Sequence, residues 1–308
     1  MKVLVTGGAG FIGSNITEML VREGFEVVIF DNFSLGSMDN LKAVKSDITV
    51  IRGDVEDQDA VRKATKGCDF VLHQAAASSS PMFQKNLKKC YSVNVLGTIN
   101  VLEAARDAGV KRVALASTSS IYGNNKPPHK EDMFAIPPNF YAASKMSKEH
   151  LAYLFSQDYG LDTVVFRYLS IYGPHEKSKG NFANLVSQFL WTMQDGKEPV
   201  VYGDGKQTRD FVYVRDVARA NLVGMLYKKP LCGNVFNVGT GRAYSLNELV
   251  AIINKLLGKK IKIKYIPNEV KNYINFQQDD TTKIKKVLGF ETKYDLEAGI
   301  KEMVSSGV

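Results

Sequence analysis

Only three cysteines occur in 308 residues, at Cys68, Cys90 and Cys232. They are odd in number, far apart and form no Cys-x-x-Cys pair, so neither a disulfide framework nor a zinc site is expected. No metal is expected, and a reducing, cytoplasmic setting fits. No run approaches the ~18 apolar residues of a membrane span, so no membrane partner is expected. The apolar stretch Val3-Leu4-Val5 is too short for a signal peptide and reads as a strand. The sequence has no internal repeat and no low-complexity tract. Its basic clusters lack interleaved aromatics and match no nucleic-acid module, so no nucleic-acid partner is expected.

What is present is 44% apolar residues, ample for a large core, and a net charge of +8. The charge reads first as a solvated lysine-rich surface. Its second reading is attraction of an anionic substrate such as a nucleotide diphosphate. Lys85-Asn86-Leu87-Lys88-Lys89 and Lys259–Lys264 are the densest clusters. Lysine alternates with isoleucine at period two in the latter, as in a half-buried edge strand.

Strand and helix patterns alternate through the first two-thirds. Strands are expected at Lys2–Thr6, Glu26–Phe30, Thr49–Arg52, Asp69–His73, Arg112–Ser117 and Asp162–Arg167. Helices are expected at Gly13–Glu23, Gln58–Lys66, Val93–Ala108 and Tyr141–Tyr159. Continuous apolar strands imply helices on both faces, hence an α/β fold with a doubly wound (Rossmann) parallel sheet. Beyond Ser170 the pattern changes. Phe182–Gln194 reads as a helix, Asn234–Val238 as a strand, Ser245–Leu257 as a helix with a capping box, and Thr281–Val308 as mostly polar helix. The expected organisation is a dinucleotide-binding domain at 1–169, with returning segments at about 206–240. A smaller C-terminal substrate-binding domain would comprise 170–205 and 241–308.

Gly7-Gly8-Ala9-Gly10-Phe11-Ile12-Gly13 follows the first strand and opens the first helix. Glycines permit the turn and let backbone N–H groups approach a pyrophosphate, which the helix N-terminus also attracts. Asp31, about twenty residues on, ends the second strand; its carboxylate suits an adenosine ribose and repels a 2′-phosphate. NAD is therefore the expected cofactor. Asp54, just before Val55, has a carboxylate placed to accept from an adenine amino group. His73-Gln74-Ala75-Ala76 ends the fourth strand in small residues that allow close approach of a ligand.

Tyr-x-x-x-Lys occurs three times, at Tyr122/Lys126, Tyr141/Lys145 and Tyr202/Lys206, so spacing alone says little. Only Tyr141 and Lys145 open a long helix, where they lie one turn apart on one face. Removing a hydride from a carbinol requires removing its hydroxyl proton, and a phenol of pKa ~10 is a poor base at neutral pH unless a cation stabilises the phenolate. Ser117-Thr118-Ser119-Ser120, after the fifth strand, offers a hydroxyl to hold the substrate oxygen.

Together these residues resemble the extended short-chain dehydrogenase/reductase family, specifically its nucleotide-sugar epimerases. The resemblance spans the whole chain. It includes Asp31-Asn32, Asn94-Val95-Leu96-Gly97-Thr98, Arg167-Tyr168, Tyr172-Gly173-Pro174, Gly203-Asp204-Gly205, Arg209–Val214 and Asn237–Gly241. It implies that Tyr141 is the base, that Lys145 binds the nicotinamide ribose and tunes Tyr141, and that Thr118 holds the reacting oxygen. It also implies cofactor contacts from Gly7, Gly10, Phe11, Ile12, Gly13, Asp31, Asn32, Asp54, Val55, Ala75 and Asn94. Substrate contacts would come from Ser79, Thr118, Ser119, Tyr141, Ser170, Lys179, Asn181, Tyr202 and Arg209. The implied activity is that of a UDP-glucose 4-epimerase, which forms a transient 4-keto sugar, and the implied assembly is a homodimer through helices near Val93–Ala108 and Tyr141–Tyr159.

Departures from the family pattern bear on specificity. Ser119 and Ser120 stand where the family's dehydratases carry acidic residues and its decarboxylases usually a glutamate. Ser170 replaces an asparagine and His175 an arginine. An Arg-Pro-Gly-Asp segment is missing; Lys271 in Val270-Lys271-Asn272-Tyr273 is the candidate replacement charge. Glu176–Asn181 and the Asn272-Tyr273 region resemble ADP-heptose 6-epimerases, in which a lysine aligned with Lys179 is a second base. A non-catalytic NAD-binding sensor is the further alternative.

Overall fold

The computed structural model describes residues 1–269 and 273–307. Seven strands make one sheet: β1 Lys2–Thr6, β2 Glu26–Asp31, β3 Ile48–Arg52, β4 Phe70–His73, β5 Arg112–Thr118, β6 Thr163–Tyr168 and β7 Asn234–Val238. Their spatial order is β7-β6-β5-β4-β1-β2-β3, and every neighbouring pair is parallel. The order reverses between β1 and β4, which places a crevice at their carboxyl ends. This is the doubly wound α/β fold expected from the alternating pattern.

Side chains alternate across the sheet. Val3 and Val5 pack on one face with Ile16 and Leu20 of helix α1 (Phe11–Arg22), and Leu4 packs on the other. The second face is covered by α2 (Gln58–Thr65), α3 (Gly97–Asp107) and α4 (Phe140–Tyr159) through Val61, Val101, Leu102, Ala152 and Phe155. Helix α4 starts where Asn139 accepts from the Ala142 N–H at 2.9 Å and stops at Gly160, whose φ is +67°.

A further core gathers Tyr172, Phe189, Leu190, Phe211, Tyr213, Leu249 and Ile300. It draws on the helices Leu185–Gln194, Leu246–Leu257 and Leu296–Ser305. The strand Ser170–Tyr172 pairs with Phe211–Tyr213 and forms the seam: Ile171 and Val212 point into the sheet's core, Tyr172, Phe211 and Tyr213 into the other.

Several expectations need correction. Helix α1 begins at Phe11, not Gly13, because the glycine loop turns directly into it. The helix expected over Val93–Ala108 is preceded by short helices at Ser80–Lys85 and Leu87–Tyr91 and by a widened π-type turn at Ser92–Leu96. The helix expected from Phe182 starts at Leu185, after tight turns over Glu176–Phe182 broken at Gly180. Val214–Leu226 is a helix that the pattern did not flag. The edge strand expected at Lys259–Lys264 is only Lys264–Ile266, paired with Val200–Tyr202. Ile261 and Ile263 still pack against the core while Lys260, Lys262 and Lys264 face solvent. The tail is two helices, Thr282–Leu288 and Leu296–Ser305, parted by Gly289 in the left-handed region.

Candidate active site

A cleft of about 290 Å³ opens over the glycine loop, the scale of a small-molecule site rather than of a single water. Gly7, Gly10, Phe11, Ile12, Gly13, Asp31, Asn32, Val55 and Ala75 line it. A β-carbon on Gly13 would lie 2.1 Å from the Gly7 carbonyl oxygen. Gly7 has φ +68°, and a β-carbon there would meet the Ala75 nitrogen at 2.7 Å. Both glycines are thus required by the cradle itself. Asp31 is buried, which raises its carboxyl pKa. It is held by the backbone N–H groups of Ala9 (2.9 Å) and Phe33 (2.8 Å), which act in the opposite sense. Its carboxylate, with two oxygens, keeps acceptor capacity beyond these two bonds, and Asp31 lines the cleft. An N–H-lined helix start with a carboxylate at the far wall suits a dinucleotide whose ribose hydroxyls are free.

Two of the expected cofactor residues also make contacts within the protein. Asn94 accepts from the Ala77 N–H (2.7 Å) and donates to the Ala77 carbonyl (3.1 Å) and Ser144 hydroxyl (3.0 Å), tying the loop after β4 to α4. Asp54 accepts from Asn32 at 3.0 Å, from the Glu56 N–H, and from Lys89 at 3.5 Å; these partners hold its pKa below the usual carboxylate range despite partial burial. Sequence reasoning missed Ser34, Leu35, Gly36, Met82, Lys89 and Cys90 in the wall. They sit in turns and short helices with no periodicity to read. Gly36 alone carried a signal, since a β-carbon there would lie 2.8 Å from the Ala9 carbonyl carbon.

Tyr141, Lys145 and Thr118 are brought together. The Thr118 hydroxyl lies near enough to the Tyr141 phenol to oppose the effect of burial on its pKa, and the Lys145 ammonium is 5.9 Å from the Tyr141 ring centre. Lys145 is 3% exposed and donates to the Ala116 carbonyl at 3.2 Å. Burial lowers its pKa to about 8, against an opposing pull from Glu149. Burial raises the Tyr141 pKa, and the Thr118 contact counters it. The ammonium is therefore charged below about pH 8, beside a phenol that needs it. Tyr141 is also fixed by an edge contact with Phe83, 6.0 Å between ring centres, in a cluster with Met82 and Cys90 of the cleft wall.

His73 is fully buried, with Nδ1 2.7 Å from the Thr6 hydroxyl and Nε2 3.0 Å from that of Thr98. Thr98 donates to the Asn94 carbonyl, so its oxygen accepts from His73 Nε2–H and leaves Nδ1 as the acceptor. Burial and the nearby Lys148 and Lys145 push the His73 pKa well down. Lys148, also fully buried, has no hydrogen-bond partner for its amine among the described residues, and its pKa falls well below 10.5.

The other expected substrate residues come from both halves of the chain. Ser79 keeps a buried hydroxyl with no partner among the described residues. Ser119 hydrogen-bonds Gln277, which also accepts from Ser170 at 3.3 Å. Arg209 donates to the carbonyls of Thr208 (2.8 Å) and Asn275 (3.3 Å) and lies over the Tyr273 ring. Tyr202 and Asn181 are exposed. Lys179 lies in the cleft wall over Phe11, paired with Glu176 at 3.2 Å. Lys271 falls outside the described residues. No cluster of metal-ligating side chains occurs among the described residues, and none of their helices is long and apolar enough to cross a membrane.

The sequence model of the NAD dependent epimerase/dehydratase family matches residues 3–239. The chain belongs to this family. A putative UDP-glucose 4-epimerase of Methanocaldococcus jannaschii is 36% identical over 98% of this chain and 97% of its own length. A UDP-N-acetyl-alpha-D-glucosaminuronate decarboxylase of Bacillus cytotoxicus is 33% identical over 98% and 96%. The crystal structure of Thermotoga maritima UDP-glucose 4-epimerase with UDP-glucose superposes with a TM-score of 0.92 at 34% identity, covering 99% of this chain and 98% of that one. NAD is the cofactor of the family, and the glycine cradle and Asp31 fit it. Relatives in this range include both epimerases and decarboxylases.

Two outcomes follow from the site. Tyr141→Phe is expected to lower turnover about 10²–10⁴-fold while bound NAD is retained; a variant within tenfold of the parent removes this phenol from the chemistry. Lys148→Met keeps the volume and removes an unpartnered amine, so it is expected to stabilise the fold by about 1–3 kcal/mol at neutral pH. Because the folded-state pKa of Lys148 is lowered, the unfolded chain binds more protons, and the wild type gains stability as pH rises toward 10.5. Urea melts across pH should show the gain from methionine shrinking as pH rises. A less stable variant, or a widening gap, contradicts this.

Proposed function

We propose that the chain epimerises C4 of a UDP-hexose through a transient 4-keto sugar. The observation that carries this reading is the gathering of Thr118, Tyr141 and the buried Lys145, whose ammonium is 5.9 Å from the Tyr141 ring centre, with Ser119 and Ser120 following Thr118 instead of carboxylates. Tyr141, as phenolate, takes the proton from the 4-hydroxyl, and Thr118 holds the same oxygen by hydrogen bonding. Lys145 stabilises the phenolate electrostatically. Bound NAD supplies a reversible hydride acceptor, so no reductant is consumed overall. Tyr141 then returns the proton to the carbonyl oxygen once hydride has come back on the opposite face of the sugar. Elimination of water or loss of carbon dioxide would call for the acidic groups the family's dehydratases and decarboxylases carry; here Ser119 is engaged with Gln277 instead. The same reading makes the chain an isomerase working in the cytoplasm.

The homodimer belongs to this proposal. Phe140, Tyr153, Leu154 and Tyr159 on α4, and Leu96 just before α3, leave large apolar surfaces exposed on that side.

NAD-loaded protein incubated with a panel of UDP-, GDP- and ADP-sugars, with products read by proton NMR, is expected to interconvert a UDP-hexose and its C4 epimer without added reductant. Every UDP-hexose left unchanged would sink the reading. Light scattering at micromolar concentration should give twice the 34.1 kDa chain mass; a monomer would remove the dimer.

A further inference from the structure

We propose that Lys179 is a clasp on the cofactor's diphosphate rather than a base for the sugar, and that the segment Pro174–Phe182 is the strap that carries it. This inference rests on the family's NAD cofactor and not on which sugar is turned over.

The cleft supplies the first argument. Among the described residues that line it, Lys89 and Lys179 are the only cations. Lys89 is paired with Glu56 and Asp54, and Asp54 in turn binds Asn32, beyond the end of β2. That commits Lys89 to the region past Asp31. The glycine loop itself carries no basic residue. Lys179 is the cation on the loop side: its ammonium is 5.3 Å from the ring centre of Phe11, the first residue of α1. A diphosphate seated at this helix start carries negative charge that the backbone N–H groups neutralise only in part.

The second argument is that the lysine is placed. Its partner Glu176 is fully buried, and the carboxylate is fixed by the Asn184 N–H at 2.7 Å and the Ser187 hydroxyl at 2.6 Å. The segment is also pinned to the cofactor half. Asn15 donates to the Pro174 carbonyl at 3.1 Å, the Ser14 hydroxyl lies 2.9 Å from His175 Nδ1, and Asn40 donates to the Ser178 hydroxyl at 3.4 Å. His175 takes a left-handed backbone, φ +70°, to make this docking. Ser14 and Asn15 lie on the first turns of α1, so the strap grips the element that starts at the diphosphate position. Its other end runs into the helix Leu185–Gln194, anchored by Val186, Phe189 and Leu190 in the C-terminal core. His175 at the position usual for arginine thus has a use: its ring reaches Ser14, and the cation is supplied four residues later.

The test is equilibrium NAD binding without any sugar, by calorimetry and by the NAD retained through gel filtration at rising salt. Lys179→Met is expected to weaken NAD binding about tenfold or more and to flatten its salt dependence, while Lys179→Arg stays near wild type. Circular dichroism and the melting temperature of the NAD-free variants check the fold, and the arginine variant separates lost charge from lost structure. Unchanged NAD affinity in Lys179→Met overturns the proposal. If turnover then falls more than a hundredfold with affinity unchanged, the lysine is a second base instead. Failure of the sugar assignment would leave the NAD result intact.

Discussion

The ion pair between Glu149 and Arg167 is the constraint on which the site depends. Arg167, at the end of β6, donates to both carboxylate oxygens, at 2.9 and 2.7 Å, and both side chains are buried. The same carboxylate accepts from Ser117 of β5 at 2.5 Å. Arg167 continues to the Tyr122 hydroxyl at 2.9 Å, and that hydroxyl donates to Asn237 of β7 at 2.7 Å. One carboxylate on α4 therefore binds the carboxyl ends of β5 and β6, and reaches β7 through Tyr122. A bidentate pair in low dielectric holds its geometry tightly, while removal of one member leaves a buried charge without a partner. Lys145 lies one turn before Glu149 and Tyr141 one turn before that, so both inherit their position from this anchor.

The pair also has an electrostatic effect. Lys145 pays for its burial with a lowered pKa, and Glu149 is the neighbour that pulls it back up. Without that carboxylate, the ammonium needed beside Tyr141 would be held less firmly at neutral pH. Burial also lowers the pKa of the neighbouring His73 and Lys148, so each is easier to deprotonate than in water.

The sheet and its alternation were legible because parallel strands buried on both faces leave continuous apolar runs, and because the glycine loop constrains what surrounds it. Tyr141 and Lys145 were separable from two decoys of equal spacing because only they open a helix. What escaped notice had no periodic signature. The short helices over residues 80–91 are held by packing of Phe83 and Cys90 and by the Asn86 cap. The helix Val214–Leu226 is covered on one face by the sheet and elsewhere by neighbouring segments, which blurs its polar stripe. Asn94, expected at the cofactor, also bonds through its amide to Ala77 and Ser144, a loop-closing role that sequence alone did not reveal. The helical reading of the tail overlooked Gly289, whose left-handed backbone ends one helix before the next begins.

The seam strands Ser170–Tyr172 and Phe211–Tyr213 carry a mechanical consequence. Consecutive side chains along them are keyed alternately into two different cores, like teeth of one rack engaged by two gears. Rotating one half against the other would drag Val212 or Phe211 out of its packing, at about 1.5–3 kcal/mol for each large side chain exposed. A wide hinge opening at this line is therefore disfavoured, and ligand exchange falls to the turns that rim the crevice.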